Sequence, residues 1–498
     1  MQTRRFAIFA ALVGALFFPT TALSAFGVLH SFAGPEGETP AAQLVRGADG
    51  LLYGVAAHGG DFTVLPPDGG GTVFRLGGGG TVTTLHTFRG PEGAWPKSLI
   101  QGRDGFFYGT ATLGGQPSIS SLNPGNGTLF RMDAAGRVTV LHVFPHSIGG
   151  GSSQPGPIVQ GADGALYGGA LGAFGTNAIG GYVYRFDPVT GAFRHLHNFV
   201  GSDGAIPTGP LFQAHEGFFY GTTNQGGPWN SGVIYKVDVL GHFALLHSLS
   251  PFFPGEGSEP KGGVIQASDG FFYGTTEHGT YFGTIFRMDA AGNYTVMHRF
   301  DSYASDGGSP RSGLIEGRDG FLYGTATIGG QPVTSPSRHG VVYRMNKAGN
   351  VTVVHTFTGP DGYQPWAALV QAADGGLYGS TVIGGAFGLG VLFRVDAAAS
   401  VQPPKLVGLK VEPSSVVGGR ASTGTVTLSG PAPSSNAAVT LSSSNSSLVS
   451  VPATVTVPAG ATSRSFPIST KPVKRTKTLT INASYNGSSL PATLTITR

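Results

Sequence analysis

A six-residue string, Asp-Gly-x-x-Tyr-Gly or its Glu-Gly form, recurs seven times between residues 49 and 379, and nothing else in the chain constrains the fold as strongly. The copies are DGLLYG (49–54), DGFFYG (104–109), DGALYG (163–168), EGFFYG (216–221), DGFFYG (269–274), DGFLYG (319–324) and DGGLYG (374–379), so the tyrosines step by 50 to 59 residues. Each is followed by a Gly-bounded run such as GTVFR (71–75), GTLFR (127–131) or GTIFR (283–287), then by one such as VTVLHVF (138–144). Within a unit, apolar residues alternate with period two over four stretches, which in the second unit are 98–102, 106–112, 127–132 and 137–144. That pattern predicts four antiparallel strands. Asp-Gly and Ala135-Gly136 supply hairpin turns, because Gly accepts positive φ. Four strands every 50-odd residues predict a propeller blade.

The two ends of the array do not match. The seventh unit has three strands (368–395) and runs into 397–404 without an LHxF strand, while an orphan copy, Val28-Leu29-His30-Ser31-Phe32, stands near the start. Each end supplies what the other lacks, and pairing them removes an open sheet edge. The expected fold is all-β: a seven-bladed β-propeller closed by the N-terminal strand, followed by an Ig-like β-sandwich.

The DGxLYGTT, GTVFR and LHxF strings resemble the GloVer tandem repeat of choice-of-anchor bacterial proteins, over residues 26–398. The resemblance implies a repeat protein but brings no biochemical activity with it. Departures are Glu216 for Asp, Gly169-Ala170 for Thr-Thr in the third unit, and an Arg498 terminus without a hydrophobic sorting tail.

Arg4 and Arg5, an apolar run over 6–18 and small residues to Ala25 have the layout of a cleaved secretory signal, so residues 1–25 are expected to be removed on export, by either the general or the twin-arginine route. No later segment is apolar for the length of a membrane helix. The expected domains are 1–25 signal peptide, 26–398 propeller, 399–405 linker and 406–498 Ig-like sandwich; the last rests on seven alternating runs, at 406–411, 423–428, 438–443, 454–457, 463–468, 476–483 and 491–496. It also resembles bacterial Ig-like surface modules through GTVTLSGPAP (424–433) and VPAGATS (457–463). The formal charge of +4 is split: residues 401–498 carry nine basic groups against Glu412 alone, so the body is acidic, near −6. The basic balance therefore says nothing for nucleic-acid binding by the propeller. With no Cys, disulfides and thiolate chemistry are excluded.

Alternation separates the two faces of the expected disc. Loops after the second strand vary in length (59–71, 114–127 and 329–340 against 279–283) and share a face with the crossovers between blades, which makes that the expected ligand face. Nine residues before the DG acid stands Pro in five units, followed by Ala41, Thr208, Lys261, Arg311 or Trp366, with Trp95 and Lys97 brought to the same region by the second unit. Trp95, Lys97, Lys261, Arg311 and Trp366, with Trp229 as a further candidate, are the expected binding residues for a sugar or an acidic polymer, through stacking and charge-assisted hydrogen bonds. The bland alternative is that the indoles plug the channel.

Five Gln among Arg46, Gln101, Gln160, Gln213, Gln266, Glu316 and Gln371 predict an inter-blade ladder. Seven LHxF-type histidines (30, 86, 142, 197, 247, 298, 355) are expected to be packed and bonded to backbone, and the DG acids to cap their own turns. A second acidic series (Glu36, Glu92, Asp203, Glu256, Asp306, Asp361) is too dispersed for calcium. No metal, cofactor or catalytic residue is expected. The leading reading is an exported or cell-surface, non-catalytic binding protein whose partner is an extracellular polysaccharide or envelope component. Its alternatives are a carbohydrate-active propeller enzyme, for which Glu316 is the one inner-strand candidate, and a purely structural matrix protein. Oligomeric state is left open.

Overall fold

The computed structural model describes residues 26–116, 125–145, 154–172, 180–207, 209–251, 255–279, 282–300, 306–329, 339–396, 405–428, 437–458, 461–485 and 488–498. The expected signal peptide, Thr208 and the linker up to residue 404 lie outside them. The chain divides into two compact units at Ala397/Ala398. The described residues form β-strands and one short 3₁₀ turn, Gly78–Gly80.

The first unit holds seven four-stranded antiparallel sheets, numbered here in chain order. In the second, Ala94–Gln101, Phe107–Leu113, Thr128–Met132 and Val138–Val143 pair in sequence order. The others repeat this, except the seventh. There Val370–Gln371, Gly376–Thr381 and Val391–Asp396 take their fourth strand from the chain start: Phe26–Ser31 pairs antiparallel with Val391–Asp396, with Val28 opposite Phe393.

The repeated string is explained by packing. The Gly after Tyr faces the aromatic of the third strand, so a Cβ on Gly109 would lie 2.4 Å from Phe130 and one on Gly379 2.5 Å from Phe393. Only Gly leaves room for the ring. The Tyr hydroxyl donates to the DG acid in every unit, at 2.6 Å in Tyr108–Asp104 and 2.7 Å in Tyr220–Glu216, where Glu replaces Asp. The other oxygen of Asp104 accepts from the Phe106 amide, the capping role expected of these acids.

Neighbouring sheets are tied alike in five of seven places, the first and third units having Val55 and Gly169 where the others have a hydroxyl. The hydroxyl after Tyr-Gly donates to the next sheet's crossover: Thr110 to Gly156 O (3.0 Å), Thr275 to Ser312 O (2.9 Å), Thr325 to Pro365 O (3.1 Å) and, from the seventh sheet to the first, Ser380 to Pro40 O (2.5 Å). The amide ladder is present as well. Gln101, Gln160, Gln213 and Gln371 each accept from a backbone N–H of the preceding unit's turn, and Glu316 does the same with Ser268.

The histidines depart from expectation. Among the described residues only His86 has a side-chain bond to backbone, at Gly136 O, and six of the seven, His86 included, meet the second acidic series: His30–Glu36, His86–Glu92, His197–Asp203, His247–Glu256, His298–Asp306 and His355–Asp361, at 2.8 to 3.4 Å. The same acids cap backbone, as Glu92 does at Arg89 N. What reads as two series is one device closing each crossover. His142, whose unit has no such acid, stacks on Phe193.

The second unit is two sheets over one apolar core that includes Val426, Phe466, Ile468, Ile481 and Leu494. One contains Leu406–Glu412, Ser422–Leu428, Ser463–Thr470 and Val449–Ser450; the other, Ser415–Val417, Ser488–Thr497, Lys477–Tyr485, Ala437–Ser443 and Thr454–Val457. The nine strands exceed the seven expected, because Ser415–Val417 and Val449–Ser450 are too short to display alternation.

Candidate functional site

In six of the seven sheets of the first unit, all but the third, the first strand is entered through an unusual residue. Thr39, Trp95, Ile206, Glu259, Ser309 and Gln364 all precede Pro and all have φ between 51° and 61°. Non-Gly residues seldom adopt this left-handed conformation. It is held from both sides: the Glu259 N–H donates to Ser231 O, and Glu259 O accepts from the Glu277 amide. The result fixes where the residue after Pro begins, and the residue directly after the second strand lies beside it.

Lys261 occupies the first of these positions in the fifth sheet, Arg311 in the sixth, Trp366 in the seventh and Lys97 in the second. The structure brings them into mutual influence. Arg311 lies over the Trp366 ring, 4.6 Å from its centroid. Lys97 is solvent-exposed but walled by protein, and that enclosure, with the charges of Lys261 and Arg311, lowers its pKa. Among the described residues no acid pairs with Lys97.

The centre of the cluster is Glu277, which sequence reasoning missed. Its side chain is 1% exposed, with Oε1 against Arg311 Nε and Oε2 in ion contact with Lys261 Nζ, the latter not aligned as a hydrogen bond. Burial pushes its pKa up, but the close contacts and charges of Lys261 and Arg311 outweigh this and hold the carboxyl below its usual value. Lys261 Nζ also meets Glu259, at 3.1 Å. The signal was available: the corresponding positions are Ala57, Thr112, Leu171, Asn224, Thr327 and Val382, and a carboxylate in one unit of a repeat serves that unit's neighbourhood.

Glu259, Glu277 and His278 each offer one ligand atom within 4.8 Å of the others. Lys261 already lies against both carboxylates and Arg311 against the second oxygen of Glu277, so a divalent ion would meet two fixed positive charges. The donor set does not suit a metal.

The remaining candidates sit differently. Trp95 donates its indole N–H to Gly69 O (3.1 Å), meets His58 edge-on at 5.0 Å and packs with Val64, Leu65 and Leu113. Trp229 is on the loop after the second strand of the fourth sheet, 53% exposed. Glu316, the one inner-strand carboxylate considered for catalysis, bonds Ser268 and Lys347 within the ladder.

These features define an all-β tandem-repeat protein with propeller-like sheets and a charged cluster at one set of strand ends. The chain belongs to the Gloeobacter/Verrucomicrobia repeat family, whose model matches residues 10–153 and 118–335. No curated protein matches it. Among solved structures it is similar to a luciferin-regenerating enzyme (11% identity, TM-score 0.39, covering 61% of this chain and 92% of that one). Proteins of unknown function from Dyadobacter fermentans (10%, 0.41, 75% and 100%) and Bacteroides caccae (10%, 0.35, 57% and 88%) are also similar.

Proposed function

We propose that the chain is an exported, non-catalytic binding protein in which residues 26–398 form a seven-bladed propeller closed by the Phe26–Ser31 strand, and the ends of the first strands form an opening that recognises a glycan or other extracellular polymer. Residues 1–25 act as the export signal, 399–405 as a linker and 406–498 as an Ig-like spacer or attachment sandwich. Ring closure is supported by the Ser380–Pro40 bond, which repeats between the seventh and first sheets the tie that joins successive sheets elsewhere. Export is supported by the charged, apolar and small-residue order of the first 25 residues. Among the described residues no helix is long and apolar enough to cross a membrane.

The observation that carries the binding reading is that Lys97, Lys261, Arg311 and Trp366 hold the same place, directly after Pro, in four sheets, with Arg311 over the Trp366 ring and Lys261 and Arg311 sharing Glu277. A hydrolase would need a carboxyl free to carry a proton to the leaving group. Glu277 is held ionised between two cations and does not meet that need. The test is retention on a panel of immobilised bacterial and plant polysaccharides, comparing the wild type with Trp366→Ala. Retention of the wild type and at least tenfold weaker retention of the variant support the reading. Failure of both proteins to bind any polymer favours a structural matrix role.

A further inference from the structure

We propose that this opening is selective for an oxyanion carried on a polysaccharide, the carboxylate of a uronate or a sulfate ester, with Lys97 as the group that binds it and Glu277 as a positioning residue for Lys261 and Arg311. The inference rests on the opening being the binding surface.

The charges decide the sign of the ligand. Glu259 and Glu277 are matched by Lys261 and Arg311 in direct ion contacts, which leaves Lys97 as one cation in excess. Three cations are gathered where two acids are available, and enclosure by protein first, then the charges of Lys261 and Arg311, lower the Lys97 pKa. An anion entering the opening relieves that repulsion and meets a flexible ammonium free to donate three hydrogen bonds. Glu277 contacts Arg311 with one carboxylate oxygen and Lys261 with the other, so both cations stand fixed and do not collapse onto the ligand.

The surrounding loops favour a polymer over a free anion. Exposed Phe and Trp side chains among the described residues are Phe62, Trp229, Phe282 and Phe387, and all four lie on loops between the second and third strands. Strand alternation carries those loops to the same side as Lys97 and Trp366. Aromatic faces spaced around a charged centre suit stacking against successive sugar rings.

The test uses the full chain in affinity electrophoresis through gels containing polygalacturonate, dextran sulfate or neutral dextran, with Lys97→Met as the variant. Lys97 makes no ion pair among the described residues and its charge is disfavoured by the surrounding protein and cations, so the substitution should leave the melting temperature unchanged or raise it, and a lowered value would mark a folding defect. Retardation by a charged polymer but not by dextran, weakened about tenfold or more in Lys97→Met and falling with salt, supports the inference. Which charged polymer retards names the oxyanion. The basic 401–498 segment retards both proteins equally, so only the Lys97-dependent part counts. Equal retardation of the two proteins by the charged polymers, or equal retardation by dextran, overturns the anion inference. Lys97-independent binding to dextran leaves the binding reading standing, whereas absence of retardation in all three gels removes both.

Discussion

Phe26 lies flat on His355, ring centroids 3.4 Å apart and planes 3° from parallel. His197 meets Phe243 in the same way at 3.7 Å, and His142 meets Phe193 at 4.0 Å. In each case a histidine of one sheet's outer strand stacks on the aromatic that opens the outer strand of the next. Phe26 fills that place for the seventh sheet although it comes from the other end of the chain. Phe26→Ala should therefore cost about 2–3 kcal/mol in urea unfolding, less than a fully buried Phe because Phe26 is half-buried. A loss below about 0.5 kcal/mol would mean the stack contributes nothing to the fold.

Removing the buried acid of the candidate site should be felt by its two cations. Glu277→Gln leaves Arg311 without its counter-charge and Lys261 with Glu259 alone, and since both cations are about a third exposed the expected loss is about 1–3 kcal/mol. Adding Lys261→Met should recover part of it. A double variant no more stable than the single one would show that the ion contacts are not what Glu277 provides.

Acid should weaken the protein in two stages. Burial holds His58, His142 and His355 below the ordinary imidazole value, with Asp361 partly offsetting this at His355. A base that resists protonation in the fold gives full stability above the unfolded imidazole value, about pH 6.5, and loses it as pH falls further. Glu92 and Glu277 titrate lower. Burial raises both, but His86 and backbone at the first, and Lys261 and Arg311 at the second, leave them below the usual carboxylate range. Their contribution is present above about pH 4.3 and is lost as pH drops through their folded values. Melting temperature should be level near pH 7–8, decline from about 6.5 and fall more steeply below about 4. A melting temperature that rises on acidification contradicts this.

The left-handed residues before Pro carry strain that Gly would not. Gln364, φ 56°, bonds its neighbours through backbone alone among the contacts described, with its N–H to His339 O and its O from the Val382 amide. Gln364→Gly should be neutral to about 1 kcal/mol stabilising, the relief of strain exceeding the added chain entropy. A destabilisation above 1 kcal/mol in thermal or urea unfolding would assign the side chain a packing role.

Much of the fold was legible because it is written seven times. The Gly after Tyr repeats because Phe130, Phe393 and their counterparts need its missing Cβ, and the DG acid repeats because it both caps a turn and accepts from Tyr. What escaped was pairing between positions that each looked complete alone. His30 and Glu36 lie six residues apart across a crossover of no fixed length, so periodicity could not join them. Glu277 escaped for the opposite reason, occurring once, where attention to repeated positions discards it. Trp95 stands in the sequence as a stacking candidate beside Lys97; its indole bond to Gly69 depends on a neighbouring loop that sequence does not position.

The proposed ring requires Phe26–Ser31 to serve as the outer strand of the seventh sheet, and hydrogen–deuterium exchange of Gly27–Ser31 tests that pairing most directly. The account predicts that the amides of this segment bonded to Val391–Val395 exchange as slowly as those of the strand they pair with. Exchange at the rate of an unstructured chain, with Val391–Asp396 behaving as an open edge, would contradict it.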